Sequence, residues 1–320
     1  MRPLPIAFAL TVSATCMALG ACGGGGGVAS TPAPSQAPAP SPTPSPEPVL
    51  PPDQIGLMSS EPFNALGLGH EYKPADGTET TAASAAQSVE ISYDDAEGTY
   101  QISLPGFQPG TLVTQDYNGS AGQTATSTWN SIEPKSGNTA QSVRVTLQVP
   151  GSNFSPYTYT SFGSWYDETT DSQGFTIRRE GVFAYGIPTG PSDMPLSGSA
   201  NYGADLLGNT SDGNYVGGSA SLQFDFGNGI LTGSMHPLLS DGWDLSIDLG
   251  TYSFRDTTFA KGSTTFAGSF DVPGLPDASS WFEGAFNGPQ AAEIMARWQA
   301  PYLREGNQGA MFGIMVGRKQ

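Results

Sequence analysis

Few side chains in this sequence are placed to do chemistry, and the most specific of them is a thiol. Leu19-Gly20-Ala21-Cys22 puts a small residue before a cysteine and a leucine three before it, at the end of an apolar N-terminal segment. That pattern is the lipobox of a bacterial lipoprotein signal, in which the thiol is acylated and the chain is cut in front of it. Cys16, the other cysteine, lies inside the same segment, so the processed chain holds no disulfide and no cysteine for catalysis or metal binding. The sequence has two histidines, His70 and His236, and either could offer an axial ligand to haem iron. His70 sits in Leu68-Gly69-His70-Glu71-Tyr72, in a glycine-rich, loop-prone stretch of the kind where binding residues collect. His236 follows Met235 beside Ser234 and Thr232 and reads as a solvated strand residue.

The carboxylates suggest less. Asp94-Asp95 and Asp167-Glu168 are adjacent acids, whereas a hydrolase pair must share a cleft with one raised pKa. Successive residues on a strand face opposite ways, and both pairs adjoin turns, so they read as surface turns. Asp171, Asp205 and Asp212 do not reproduce a calcium-loop spacing. A nucleophile–histidine–acid triad would need assembly from distant parts of the chain. No enzyme and no metal site is expected.

The elements that would carry these residues follow from composition. Arg2 is the one charge before Cys22, and the apolar run from Ile6 to Leu19 is shorter than the roughly 20 residues that span a bilayer, so residues 1–21 read as a cleaved signal. Residues 22–55 begin with a glycine run, Gly23 to Gly27, and continue with proline at nearly every second or third position from Pro32 to Pro52. Glycine gives flexibility, proline gives extended polyproline, and neither buries apolar surface, so this is a tether. Gly23 after the cysteine, in place of Asp, favours the outer membrane by the enterobacterial sorting rule. The formal charge of −17 disfavours nucleic acid and anionic membrane surfaces as partners.

Beyond the tether the sequence is built for strands. It has 42 glycines and 13 % charged residues, with Thr, Ser, Tyr and Phe in short alternating runs. Val89–Tyr93 and Tyr100–Leu104 form a predicted hairpin, and Ser142–Val149, Tyr157–Trp165 and Phe175–Tyr185 are further strands. Residues 56–88 and 116–140 are expected to be loop-heavy. In the C-terminal half Ala220, Leu222, Phe224 and Phe226 alternate up to Gly227-Asn228-Gly229, and a two-residue Asn-Gly loop would set Phe226 opposite Leu231. Trp243–Leu249, Phe266–Phe270, Phe282–Phe286 and Ala310–Val316 continue the alternation. This is the pattern of an antiparallel up-and-down barrel, with a short helix expected from Pro289 through Ile294.

Several of these segments together resemble the transferrin-binding protein B-like lipoproteins. Phe183-Ala184-Tyr185-Gly186-Ile187-Pro188-Thr189 and Met194-Pro195-Leu196-Ser197-Gly198-Ser199-Ala200-Asn201-Tyr202-Gly203 resemble the approach to that family's barrel, and Tyr159-Thr160-Ser161-Phe162-Gly163-Ser164-Trp165 the strand before it. Phe224-Asp225-Phe226-Gly227-Asn228-Gly229-Ile230-Leu231-Thr232-Gly233 is similar to its first barrel hairpin. Phe282-Glu283-Gly284-Ala285-Phe286-Asn287-Gly288-Pro289-Gln290-Ala291-Ala292-Glu293 is similar to its late strand and turn. Ile294-Met295-Ala296 stands where members often carry two glycines, and one lobe is present where the transferrin binders have two. The resemblance implies an all-β chain: a β-rich handle-like domain over residues 56–190, then an eight-stranded antiparallel barrel over 191–320. It further implies surface display on the outer membrane through lipidated Cys22, and binding of a solute or host protein without catalysis, with iron or haem acquisition as one purpose such binding would serve. The residues require no cofactor, but one-lobe relatives include the haem-capturing hemophilins, which makes haem the cofactor to test and His70 the ligand-binding residue. The other function class is a structural or adhesive envelope lipoprotein with no dedicated small ligand.

Overall fold

The computed structural model describes residues 63–84, 89–105, 107–113, 124–126, 143–148, 155–241 and 244–320. The signal, Cys22 and the tether lie outside these residues, as do Trp243 and all of the stretch 116–140 except 124–126. In chain order the strands are β1 (Asn64–Lys73), β2 (Thr78–Ser84), β3 (Glu90–Asp94), β4 (Thr99–Ser103), β5 (Gly110–Val113), β6 (Thr124–Thr126), β7 (Arg144–Gln148), β8 (Thr160–Thr170) and β9 (Thr176–Gly186). They continue as β10 (Ser199–Thr210), β11 (Tyr215–Asp225), β12 (Ile230–Asp241), β13 (Asp244–Asp248), β14 (Tyr252–Thr258), β15 (Thr265–Asp271), β16 (Trp281–Asn287), β17 (Glu293–Arg304) and β18 (Asn307–Lys319).

Alternation explains the smallest sheet. In the β3–β4 hairpin Ile91 faces Ile102 and Tyr93 faces Tyr100, all four buried, while Ser92 and Gln101 between them are exposed. With β5 this makes a three-stranded sheet, whose buried face packs on Val145, Leu147, Trp165, Phe183 and Tyr185 of a six-stranded sheet ordered β2-β1-β9-β8-β7-β6. The opposite face of the six-stranded sheet presents Leu68, Phe162, Val182 and Ala184 to the outer wall of the barrel at Ala285, Met295, Phe312, Ile314 and Val316. The six-stranded sheet is thus a middle layer, covered on both sides along its centre. That is why Glu180–Gly186 is continuously buried and does not alternate.

The barrel is a ring of eight antiparallel strands, β10-β11-β12-β14-β15-β16-β17-β18, closed by β18 pairing back to β10 from Tyr202 opposite Lys319 to Thr210 opposite Met311. β13 stays outside the ring and, among the described residues, pairs only with β12. The interior is filled. Phe224 packs on Phe286 with ring centroids 4.7 Å apart, on Phe266 at 5.1 Å and on Tyr202 at 5.4 Å. Curvature is accommodated by glycine: Phe266 lies directly across from Gly284, and Phe282 across from Gly268.

Four expectations are corrected. The 56–88 region is not loop-heavy over its described part, because β1 and β2 form a hairpin there. Phe224, not Phe226, stands opposite Leu231. The turn takes four residues because Asp225 Oδ1 accepts the N–H groups of Gly227 and Asn228, each at 3.0 Å, and the left-handed φ falls on Gly229 and not on Asn228. The expected helix is a single 3-10 turn, Pro289–Ala291, and Ile294 already belongs to β17. Asp167 and Glu168 sit within β8, not at a turn.

Two outcomes check this architecture. A Cβ at position 284 would lie 2.4 Å from Phe266 Cζ and 2.6 Å from the Met295 carbonyl oxygen. Gly284→Ala is therefore expected to destabilise by about 1–3 kcal/mol, as overpacking does; an unchanged denaturation midpoint would show that the ring yields freely. Deleting residues 309–320 removes most of the closing strand and should lower the stability of the whole barrel. A truncated chain with the parent's melting temperature would contradict closure through β18.

Candidate binding site at the sheet–barrel junction

The middle sheet and the barrel are joined by a polar seam. Glu293, the first residue of β17, accepts the backbone N–H groups of Thr158 and Tyr159 at 2.7 and 2.9 Å, just ahead of β8. The Tyr157 hydroxyl lies 2.6 Å from Asp205 Oδ2 and 2.9 Å from the Val316 carbonyl. The Asn287 amide accepts from the Thr160 hydroxyl at 3.1 Å and donates to the Ile187 carbonyl at 3.2 Å. Burial pushes the Glu293 carboxyl up from its ordinary pKa, against the pull of its backbone N–H partners. It pushes the Tyr157 hydroxyl up as well, reinforced by the neighbouring Asp205 carboxylate.

Beside this seam lies an open groove of about 570 Å³ between β1 and the outer face of β15–β17. Leu66, Ala267, Ala285 and Met295 supply apolar walls, and Thr265 supplies a hydroxyl. One end carries an ion pair: Arg297 Nε donates to Glu283 Oε1 at 2.6 Å, and Arg297 Nη1 donates to the Gly67 carbonyl at 3.3 Å. The groove thus combines an apolar floor with a few fixed polar groups, the usual composition of a ligand site. Its residues come from β1 and from strands of the barrel, so their convergence is invisible along the chain.

His70 is not in a loop. It lies on β1 with 2 % exposure, in line with Leu66, Leu68 and Tyr72 on the barrel-facing side. Its Nδ1 is 3.1 Å from Glu79 Oε1 and its Nε2 is 3.2 Å from Glu180 Oε1. The ring stacks on Tyr72 and meets the edge of Phe312. Both nitrogens are engaged, so metal ligation there would require one glutamate to be displaced.

His236 lies on β12, on a different sheet, and is partly exposed as expected. It does form a constellation that sequence reading missed: Asp248 Oδ1 is 3.1 Å from Nε2, and Thr251 Oγ1 is 3.5 Å from Nδ1. This carboxylate–imidazole–hydroxyl row stands on an open turn with the Asp248 side chain 62 % exposed, without the water-excluding cleft that acyl transfer uses. Asp94 closes its turn by accepting from Ala96 and Glu97, the surface-turn reading. Asp167 is buried against Arg179, whose Nη2 donates at 2.6 Å, and Glu168 pairs with Arg178. Among the described residues no cluster of three or more His, Cys, Asp or Glu could hold a metal ion.

No protein-family model matches this chain, and no curated protein matches it. Solved structures similar to it include transferrin binding protein B from Haemophilus parasuis, at 14% identity over 81% of this chain and 45% of that one, with a TM-score of 0.44. The same protein from serogroup B Neisseria meningitidis aligns at 14% identity over 80% of this chain and 44% of that one, with a TM-score of 0.37. Kievitone hydratase from Nectria haematococca aligns at 9% identity over 83% of this chain and 92% of that one, with a TM-score of 0.25. The chain spans less than half the length of the two binding-protein chains.

Glu293 gives a pH test. A folded-state pKa above the unfolded one means that the folded protein holds this proton more tightly. The group's contribution to stability therefore grows as pH falls through the raised pKa and is smallest at neutral pH. Glu293→Gln leaves one of two backbone N–H groups without an acceptor and should cost about 1–3 kcal/mol. The gap in melting temperature between wild type and variant should widen from about pH 7 to about pH 5. A narrowing gap would mean that the N–H bonds, not burial, dominate this carboxyl.

Proposed function

We propose that this chain is an outer-membrane lipoprotein, anchored through Cys22 and displayed at the cell surface on its proline-rich tether, that binds a solute or host protein without chemical conversion. The observation that carries the binding reading is the junction groove of about 570 Å³ beside a barrel whose interior is filled with aromatic rings. A ligand has no room inside the ring, so it is taken on the outside, where the middle sheet overhangs the barrel. The lipobox and the family resemblance of residues 155–320 support the location. The groove favours a binding protein over a structural or adhesive envelope component, whose surface would be flat and polar. The handle-like domain of residues 56–190 and the barrel of 191–320 act together in this reading, since both wall the groove.

Two measurements test it. Cys22→Ser should release the protein from membranes or leave it unprocessed; a variant that fractionates and migrates like wild type removes the anchor. The full chain and its Ala267→Trp variant, which fills the groove, should be purified from native membranes and compared. A molecule that co-purifies with wild type and is lost from the variant supports the reading, and equal recovery removes the groove. Haemin is the first solute to titrate. A sharp Soret band weakened by His70→Ala would assign haem, with His70 freed from Glu79 or Glu180 as its axial ligand; a featureless titration removes it.

A further inference from the structure

A second cleft, of about 250 Å³, opens where β7–β9 of the middle sheet meet β10 and β11. Thr146 is paired with Ser164, Tyr166 with Glu180, and Asn209 with Tyr215, so the cross-strand ladders bring these side chains together in twos on the two walls. The side chains of Thr146, Ser164, Tyr166, Asn209 and Tyr215 make no hydrogen bond to another group among the described residues. Four hydroxyls and an amide therefore share one small space, each able both to donate and to accept. Val182 and Leu207 provide apolar contact between them.

The charges around the cleft are committed. Among the described residues Glu180 is the one formally charged residue of the lining, and its Oε1 is held by His70 Nε2 at 3.2 Å. Arg178 and Arg144 lie over the faces of Tyr166, at 5.8 and 5.0 Å from its centroid, and do not line the cleft. Arg178 is tied to Glu168 and to the Tyr72 hydroxyl. An anionic ligand would meet a carboxylate in the cleft and, among the described residues, no lysine or arginine in its lining. An apolar ligand would cover five hydroxyl and amide groups without partners, at the cost that unsatisfied buried polar groups carry. The volume is below the roughly 300–1,000 Å³ of sites for drug-sized ligands.

We propose that this cleft is a subsite for one ring of a neutral sugar. A sugar ring offers C–H faces to Val182, Leu207 and the Tyr215 ring, and hydroxyls that pair with the five unpaired groups in either direction. The Tyr215 side chain is amphipathic in the same way and stands partly exposed at the mouth. This goes beyond the junction-groove reading and does not depend on it: the sites are walled by different strands, and Ala267→Trp does not touch the cleft.

The test uses the full chain in a detergent without sugar head groups, titrated by calorimetry with lactose, maltose and chitobiose, and with sialyllactose as the charged arm. At least one neutral disaccharide should bind. Asn209→Ala and Tyr215→Phe should each weaken it by about three- to ten-fold, the worth of one hydrogen bond, with unchanged melting temperatures. Ser263→Ala, in the other groove, should bind like wild type. Silence from all three neutral sugars overturns the proposal, as does tighter binding of sialyllactose. Binding that Asn209→Ala and Tyr215→Phe leave unchanged places the sugar elsewhere and also overturns it.

Discussion

An aromatic ring seated over a glycine on the neighbouring strand is the contact on which both large sheets depend. In the barrel Phe266 covers Gly284 and Trp298 covers Gly313; in the middle sheet Phe183 covers Gly163 and Trp165 covers Gly181, each pair directly opposite in register. A Cβ on any of these glycines would stand 2.4–2.7 Å from the facing ring. The ring therefore occupies the volume that a side chain would take, and the two strands can twist and approach more closely than ordinary residues allow. The same contact fixes register, because a one-residue slip sets every ring against a residue that has a Cβ. Interior strand glycine is a weakness by itself; paired with a ring it becomes a specification.

How much of this could be read from the chain depended on whether a strand is covered on one face or two. The β3–β4 hairpin and β11 from Ser219 onward alternate cleanly because one face meets solvent, and both are legible in the sequence. Ala310–Val316 also read as a half-buried strand, but Phe312, Ile314 and Val316 pack on the middle sheet while Met311 and Met315 fill the barrel. The second cover has a local mark: Met311 and Met315 make this stretch a continuous apolar run with no polar face, the composition of a strand buried on both sides. β1 carried a usable signal, since Leu66, Leu68, His70 and Tyr72 recur at period two, yet its glycines imitated a loop. The same glycines hide the strand position of His70. The groove and the cleft were out of reach altogether, because each joins strands distant in sequence.

Burial on both faces also explains the chemistry of the junction. A middle layer cannot satisfy its strand ends with water, so the chain finds acceptors on the barrel instead: Glu293 for two N–H groups on the way into β8, and the Gly288 and Phe286 carbonyls for Thr189 on the way out of β9. These bonds are specific where the apolar contact between the layers is not. They hold the sheet at one position on the barrel wall, and so give the groove beside it a defined shape.

The closing pairs have a kinetic side. β1 meets β9 with Asn64 opposite Gly186, and β10 meets β18 with Tyr202 opposite Lys319, partners that stand far apart along the chain. Loop-closure entropy must be met before such contacts return anything, so high-contact-order folds of this kind assemble slowly. Until then β9 and β10 present unpaired, largely apolar edges to any neighbouring chain. A polypeptide of this topology must therefore be kept apart from its copies while it waits to fold, and a crowded solution is where it is most exposed to aggregation.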